Sequence, residues 1–440
     1  MASALARFWW LGGQFGEGRR WLARETVDFL ETALALLVDL PETPATLSDA
    51  LDIRITLGTA LMALYGNGAT EVEASYTAAL ELVDRLGDVS RRFPVLWGLW
   101  FVAYTRGNYP VAREQAGRLL EHAQHAHGTA HLLQAHHALW ATATAMGQPI
   151  SAAAHCERGL ALYAPEQHAS QALLYGGHDA GVCARNQLLI NQWLLGYPDS
   201  ALATLGDALR LAAQLNHPMT TINTLYFAAW IHYLRGEHEL AAQMTQQVID
   251  TGAIHGFFSW VDSVRVLPYA MASEPASVEA LADLAQQLAQ RPGNAWRHVL
   301  SMCVLAELCL RTGCLEAGRR ALASIGETDR QAFCAAEVHR IDGELIARGS
   351  RPIDGEPRFR AAIEMARSRA EKSLELRATV SLARLLLRHD RRDEARQALA
   401  EVYGSFTEGF DTADLRDAKQ LLDELSTSAV TRASVDRHED

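Results

Sequence analysis

Residues 176–186 read GGHDAGVCARN, residues 191–218 NQWLLGYPDSALATLGDALRLAAQLNHP, and residues 223–237 NTLYFAAWIHYLRGE. An apolar run ends at Gly196, a second begins at Pro198 and breaks at the Asn216-His217-Pro218 turn, and a third ends at Gly236. That is one helical hairpin and the first helix of the next. Gly196 and Gly236 are 40 residues apart, as are Gly107 and Gly147, and a small residue follows five places after each: Ala112, Ala152, Ala201 and Ala241. The pair Gly313 and Gly318 repeats the pattern, as do Asp390 with Ala395 and Gly13 with Gly18. A glycine takes the positive φ that closes a helix, and the small residue sits where the next helix crosses closely over the last. One such hairpin cannot bury its own apolar face, so neighbours must stack.

The spacing predicts an all-α, right-handed superhelical array, or solenoid, of about nine hairpins that resemble tetratricopeptide repeats in a long form of roughly 40 residues. A single array is expected over residues 1–425, with an incomplete first unit at 4–39 and a capping helix at 412–425. Residues 426–440 carry no apolar periodicity and are expected to be a disordered tail. From Gly147 to Gly196 the interval is 49 residues, nine more than its neighbours, and the excess falls in an insertion at 164–177. The unit from Phe257 to Gln290 is degenerate, its turn MASEP lacking a glycine.

Composition narrows the function. Net charge is −12, and Lys372 and Lys419 are the two lysines. An acidic surface without a basic stripe argues against nucleic acid and against an anionic membrane as partner. No Gly-Lys pair occurs, so there is no P-loop, whose lysine must reach the β and γ phosphates. Six scattered cysteines fit a reducing, cytoplasmic setting, and neither an export signal nor a membrane-spanning run is read.

Three segments carry a family resemblance: FPVLWGLWFVAY from Phe93; LALYAPEQHASQALLYGGHDAGVCARN leading into WLLGYPDSAL; and the terminal VYGSFTEGFDTADLRDAKQLLDEL. Together they resemble the carboxyl-terminal repeat region of bacterial fusion proteins that join a class III adenylate or guanylate cyclase domain, a P-loop signalling ATPase and tetratricopeptide repeats of the MalT-like kind. The resemblance spans about Trp21 to Leu425. Ala164 and Ala180 depart from it, standing where such proteins read Tyr-Asp-Pro and His-Asp-Pro-Gly. It implies a regulatory array, a sensor and interaction scaffold that controls an ATPase or cyclase module and has no catalytic centre or cofactor of its own. The alternative is a truncated or split piece of a cyclase–ATPase enzyme whose catalytic domains lie upstream.

Two readings of GGHDAGVC stand side by side. His178, Asp179 and Cys183 have the residue types of a thiolate, an imidazole and an orienting carboxylate. Equally, Asp179 is a helix N-cap with Cys183 on the first turn behind it. Repeat phasing adds a row of groove positions: Cys183, Asn186, Ile190 and Trp193 in this unit, Asn223, Tyr226, Trp230 and Tyr233 in the next, and Pro94, Trp97, Phe101 and Tyr104 in an earlier one. Aromatics and amides on one concave face suit a protein segment or small effector, and they suit packing between adjacent helices just as well. The groove reading predicts that Trp193→Ala and Trp230→Ala abolish binding and spare the fold. The histidine-rich run His122–His137 lacks a recognised ligand spacing and is read as solvated or interhelical, with no metal site. Arg185 and Arg235 are read as solvent-facing.

Overall fold

The computed structural model describes residues 16–125, 128–274, 276–289 and 295–435. It is a stack of antiparallel helical hairpins, with no strand among the described residues. The main helices are α1 (Gly16–Val38), α2 (Pro44–Tyr65), α3 (Thr70–Leu86), α4 (Val89–Thr105), α5 (Tyr109–His125), α6 (Thr129–Ala145), α7 (Pro149–Leu162), α8 (Ala180–Leu194), α9 (Pro198–Leu215), α10 (Pro218–Arg235) and α11 (His238–His255). They continue as α12 (Val278–Ala289), α13 (Ala295–Thr312), α14 (Leu315–Ala323), α15 (Ala335–Ala347), α16 (Glu356–Ser368), α17 (Lys372–Arg388), α18 (Arg392–Tyr403) and α19 (Ala413–Val435).

The turn rule operates as the spacing predicts. Gly107, Gly147, Gly196, Gly236 and Gly313 have φ between 66° and 89°, and Asp390 reaches 57° in the same role. The small partners Ala112, Ala152, Ala201, Ala241 and Ala395 are 0 % exposed, at the crossing of each hairpin. Starts are specified locally as well. Thr43 and Thr46 exchange a capping box, Asp88 accepts from the amides of Ser90 and Arg91, and Pro44, Pro149, Pro198 and Pro218 occupy first turns.

Irregularities fall where the phase slips. The insertion at 164–177 holds a single helical turn, Pro165–His168, and a 3-10 turn, Ala169–Leu173, and ends at Gly176 and Gly177, both with positive φ. The degenerate unit has its first helix broken into Phe258–Asp262 and Leu267–Met271. The last helix runs ten residues past the expected cap, from Ala413 to Val435, so 426–435 is helical rather than a disordered tail. Residues 436–440 lie outside the described residues, as does the first part of the incomplete unit at 4–39.

The array also closes on itself. Trp296 Nε1 donates to Tyr104 Oη at 2.9 Å, the Phe333 amide donates to the Ala145 carbonyl at 2.9 Å, and Ser373 Oγ donates to the Trp193 carbonyl. Farther on, Glu408 accepts from the amides of Asp199 and Ser200 at 2.9 and 2.8 Å, and the Gly409 amide donates to Asp199 Oδ2 at 2.8 Å. Gly236 lies against Ala413. Each of these contacts joins a hairpin to the element five hairpins later, at separations such as 192, 180 and 210 residues. One superhelical turn therefore takes five hairpins, and the second coil seats directly on the first.

That seam is polar and specific. Arg235 is 3 % exposed and lies among Asp199, Glu237 and Asp411. It is a clasp between the coils and not a solvent-facing residue. The Arg185 guanidinium caps the Gly181 carbonyl of its own helix.

Candidate functional site

Closure of the coils turns the expected open groove into a chamber of about 930 Å³. Helix α4 supplies one wall with Trp97, Trp100, Phe101 and Tyr104, which sit in helical register and stack: Trp100 and Tyr104 are 5.3 Å apart at 20°. The second coil supplies the facing wall through Trp260, Trp296 and Arg297. His137, His178, Cys183, Gln187 and Asn223 line the end nearest α6, α8 and α10.

Arg297 is the unusual group. Its Nε and Nη1 are shut off from solvent and have no hydrogen-bond partner among the described residues. The guanidinium lies 4.0 Å over the Trp260 ring and 5.5 Å from the Tyr226 ring. No carboxylate among the described residues pairs with it. Asp329 lines the same chamber and instead accepts from Tyr109 Oη at 3.4 Å. Burial lowers the Arg297 pKa, partly opposed by Tyr226 and Tyr104, and raises that of Asp329. An aromatic cage holds a guanidinium well, yet the three N–H donors on Nε and Nη1 have no acceptor among the described residues.

The sequence-derived residues divide into two sets. Trp97, Phe101, Tyr104, His178, Cys183 and Asn223 line the chamber. Asn186, Trp193, Tyr226, Trp230, Tyr233 and Asp179 lie behind its wall. Trp193 is 3 % exposed and Trp230 1 %, so both are packing residues where the groove reading made them contact residues. The physical reason is the second coil, which fills the superhelix axis at those levels. Asn186 Nδ2 donates to Asn223 Oδ1 at 2.6 Å and to Thr224 Oγ1 at 3.2 Å, so it ties α8 to α10. Ile190 is likewise core, and Pro94 lies within α4.

GGHDAGVC divides the same way. Asp179 caps α8: its Oδ1 accepts from the Val182 amide at 2.8 Å, and its Oδ2 accepts from Tyr163 Oη at 2.8 Å. It orients no histidine. Cys183 Sγ lies 3.3 Å from Nε2 of His137, a residue of the histidine-rich run, and burial pushes the thiol pKa up to about 12. A thiol held protonated in this way is a poor nucleophile. The rest of that run does not converge. His136 pairs with His155 at 3.0 Å, while His131 stacks on Phe93.

Arg297, Trp260, Trp296 and His137 were not legible as site residues. Arg297 and Trp296 sit in an ordinary first helical turn, AWRHVL, and nothing within their own repeat marks them as facing α4.

No family model matches the chain. An uncharacterized protein of Rhizobium meliloti (strain 1021) is 25% identical over 377 residues, which make up 82% of this chain and 36% of that protein. The chain thus spans a little over a third of that relative's length. Among solved structures, a Rap protein complexed with Competence and Sporulation Factor aligns at 12% identity with a TM-score of 0.45, covering 96% of this chain and 99% of that one. Yeast Tom70 aligns at 12% identity with a TM-score of 0.35, covering 98% and 96%. No described helix is long and apolar enough to cross a membrane.

Proposed function

We propose that the chain is a sensor array that takes a small anionic effector, or the acidic end of a protein segment, into the chamber between its two coils. The observation that carries the reading is Arg297: a cation packed against aromatic rings, without a carboxylate partner among the described residues, on the wall of a cavity large enough for a ligand. Such pockets are mostly apolar with a few placed polar groups, and an arginine fork matches a carboxylate or phosphate bidentately. Trp97, Trp100 and Trp260 line the chamber beside it.

Coupling follows from the walls. Because α4 belongs to the first coil and Arg297 to the second, a ligand that touches both favours the closed arrangement by its differential affinity for it. The partner that reads this state is proposed from the sequence resemblance to be an ATPase or nucleotide cyclase module, and the greater length of the relative leaves room for such a module there. The reading is tested by titrating the chain with aromatic carboxylates and nucleotide monophosphates, each beside its neutral counterpart, while following tryptophan fluorescence. Anion-selective, 1:1 quenching that disappears in Arg297→Met supports it, and quenching that ignores the anion contradicts it.

A further inference from the structure

The geometry points to a metal site at the inner end of the chamber: His137, His178 and Cys183 bind a divalent ion of the zinc class. Helix α6 carries His137, the loop that ends the insertion carries His178, and the first turn of α8 carries Cys183. One ligand atom from each lies within 4.8 Å of the other two, and Cys183 Sγ and His137 Nε2 are 3.3 Å apart. A tetrahedral ion with Zn–N about 2.0 Å and Zn–S about 2.3 Å sets its ligand atoms about 3.5 Å apart. One edge of that figure is already formed. The other two close by a shift of about 1 Å, which the loop carrying His178 can supply because Gly176 and Gly177 precede it at positive φ.

Both imidazoles present the right nitrogen. Gln134 Nε2 donates to Gln171 Oε1 at 2.8 Å, which turns Gln134 Oε1 toward His137 Nδ1 at 3.1 Å. His137 therefore carries its proton on Nδ1, and its Nε2 lone pair faces the thiol. In His178, Nε2 is buried with no partner among the described residues. A neutral histidine with Nδ1–H held by an amide oxygen and Nε2 free, as in His137, is the arrangement that fixes a metal ligand in orientation. Burial keeps both neutral.

An N₂S donor set selects a borderline-soft ion such as zinc over magnesium or calcium. Binding forms two Zn–N bonds and one Zn–S bond, and the thiol proton leaves to solvent, one proton per ion. Three protein ligands leave the fourth position open, and it faces the chamber that all three residues line. An anion there meets both the ion and Arg297, whose charge already acts on His178. The site goes beyond the anion reading and does not require it.

The test uses the full chain stripped with chelator and titrated with Co²⁺ alone, followed by Zn²⁺ displacement. Expected are one equivalent bound, a thiolate-to-cobalt charge-transfer band, and one proton released. Cys183→Ser removes the band, His178→Ala weakens affinity at least tenfold, and Gln134→Leu weakens it about 10–100-fold with every ligand in place. Cys309→Ser leaves binding intact and Arg297→Met does not weaken it, which separates this site from the anion reading. Circular dichroism checks each fold; if Cys183→Ser does not fold, His178→Ala in the loop decides. No band in the unmodified chain, a band that survives Cys183→Ser, or unchanged affinity in His178→Ala overturns the site.

Discussion

Replacing Arg297 by methionine should make the unliganded protein more stable while destroying its ability to bind an anion. A half-buried guanidinium whose Nε and Nη1 have no acceptor among the described residues costs several kcal/mol in lost hydration, and its two ring contacts return about 1–3 kcal/mol between them. Methionine keeps most of the stem volume and the packing on Trp260 without the charge. The balance is a gain of about 1–3 kcal/mol. Unfolding entropy near 2.1 cal/mol/K per residue converts that to about 1–3 °C if the array melts as one unit. The shift is larger if it melts in blocks. Differential scanning calorimetry at neutral pH with the chain free of added phosphate or sulfate reads the shift, and Arg297→Lys, which keeps a charge, should fail to reproduce it. If Arg297→Met instead lowers the melting temperature by several degrees, the guanidinium is a structural group with partners of its own, and the anion chamber loses its basis.

Trp230→Ala and Trp193→Ala should each cost about 3–5 kcal/mol, because both rings are core, and a thermal melt should show the loss whether or not a ligand binds. Glu371 is 0 % exposed with neither oxygen hydrogen-bonded among the described residues, and burial lifts its carboxyl pKa from 4.5 to about 8, opposed by Arg369. The native state holds a proton that the unfolded chain has released, so this group's contribution is full below pH 4.5 and is lost as pH rises toward 8, at up to about 1.4 kcal/mol per pH unit. Glu371→Gln should therefore hold its melting temperature between pH 5 and 8 better than the unmodified chain does. Gly409 has φ of 77°, and a Cβ there would lie 2.0 Å from Pro198 Cγ, so Gly409→Ala should loosen the seam and raise hydrogen exchange in α17–α19 while leaving α2–α5 protected.

The hairpins were readable from the chain because their signals are local. A glycine that must close a helix and an alanine that must let two helices touch lie five residues apart, and the pair recurs. The same locality explains Asp179, whose capping role follows from its place before an apolar run. The coil-on-coil seam is different in kind. Phe333 meets Ala145 through backbone atoms that any residue carries, and Ser373 reaches the Trp193 carbonyl with a hydroxyl that nothing in its own repeat singles out, so neither sequence position marks the contact. Repeat phasing places Trp97, Phe101, Tyr104, Cys183 and Asn223 on the inward face, and all five line the chamber. It failed at Trp193 and Trp230 because the face they share is filled by a coil five hairpins later. His137 was set aside with its neighbours for want of a ligand spacing; its partners come from other elements, and folding alone brings them together.

The central claim, that the chamber is built to hold an anion on Arg297, is tested most directly by isothermal titration of matched ligand pairs into the unmodified chain and into Arg297→Met. An aromatic carboxylate or nucleotide monophosphate should bind 1:1, its neutral amide or nucleoside at least tenfold more weakly, and Arg297→Met should bind both equally weakly. Anion binding of equal strength in Arg297→Met, or no preference for the charged member of any pair, would contradict the account.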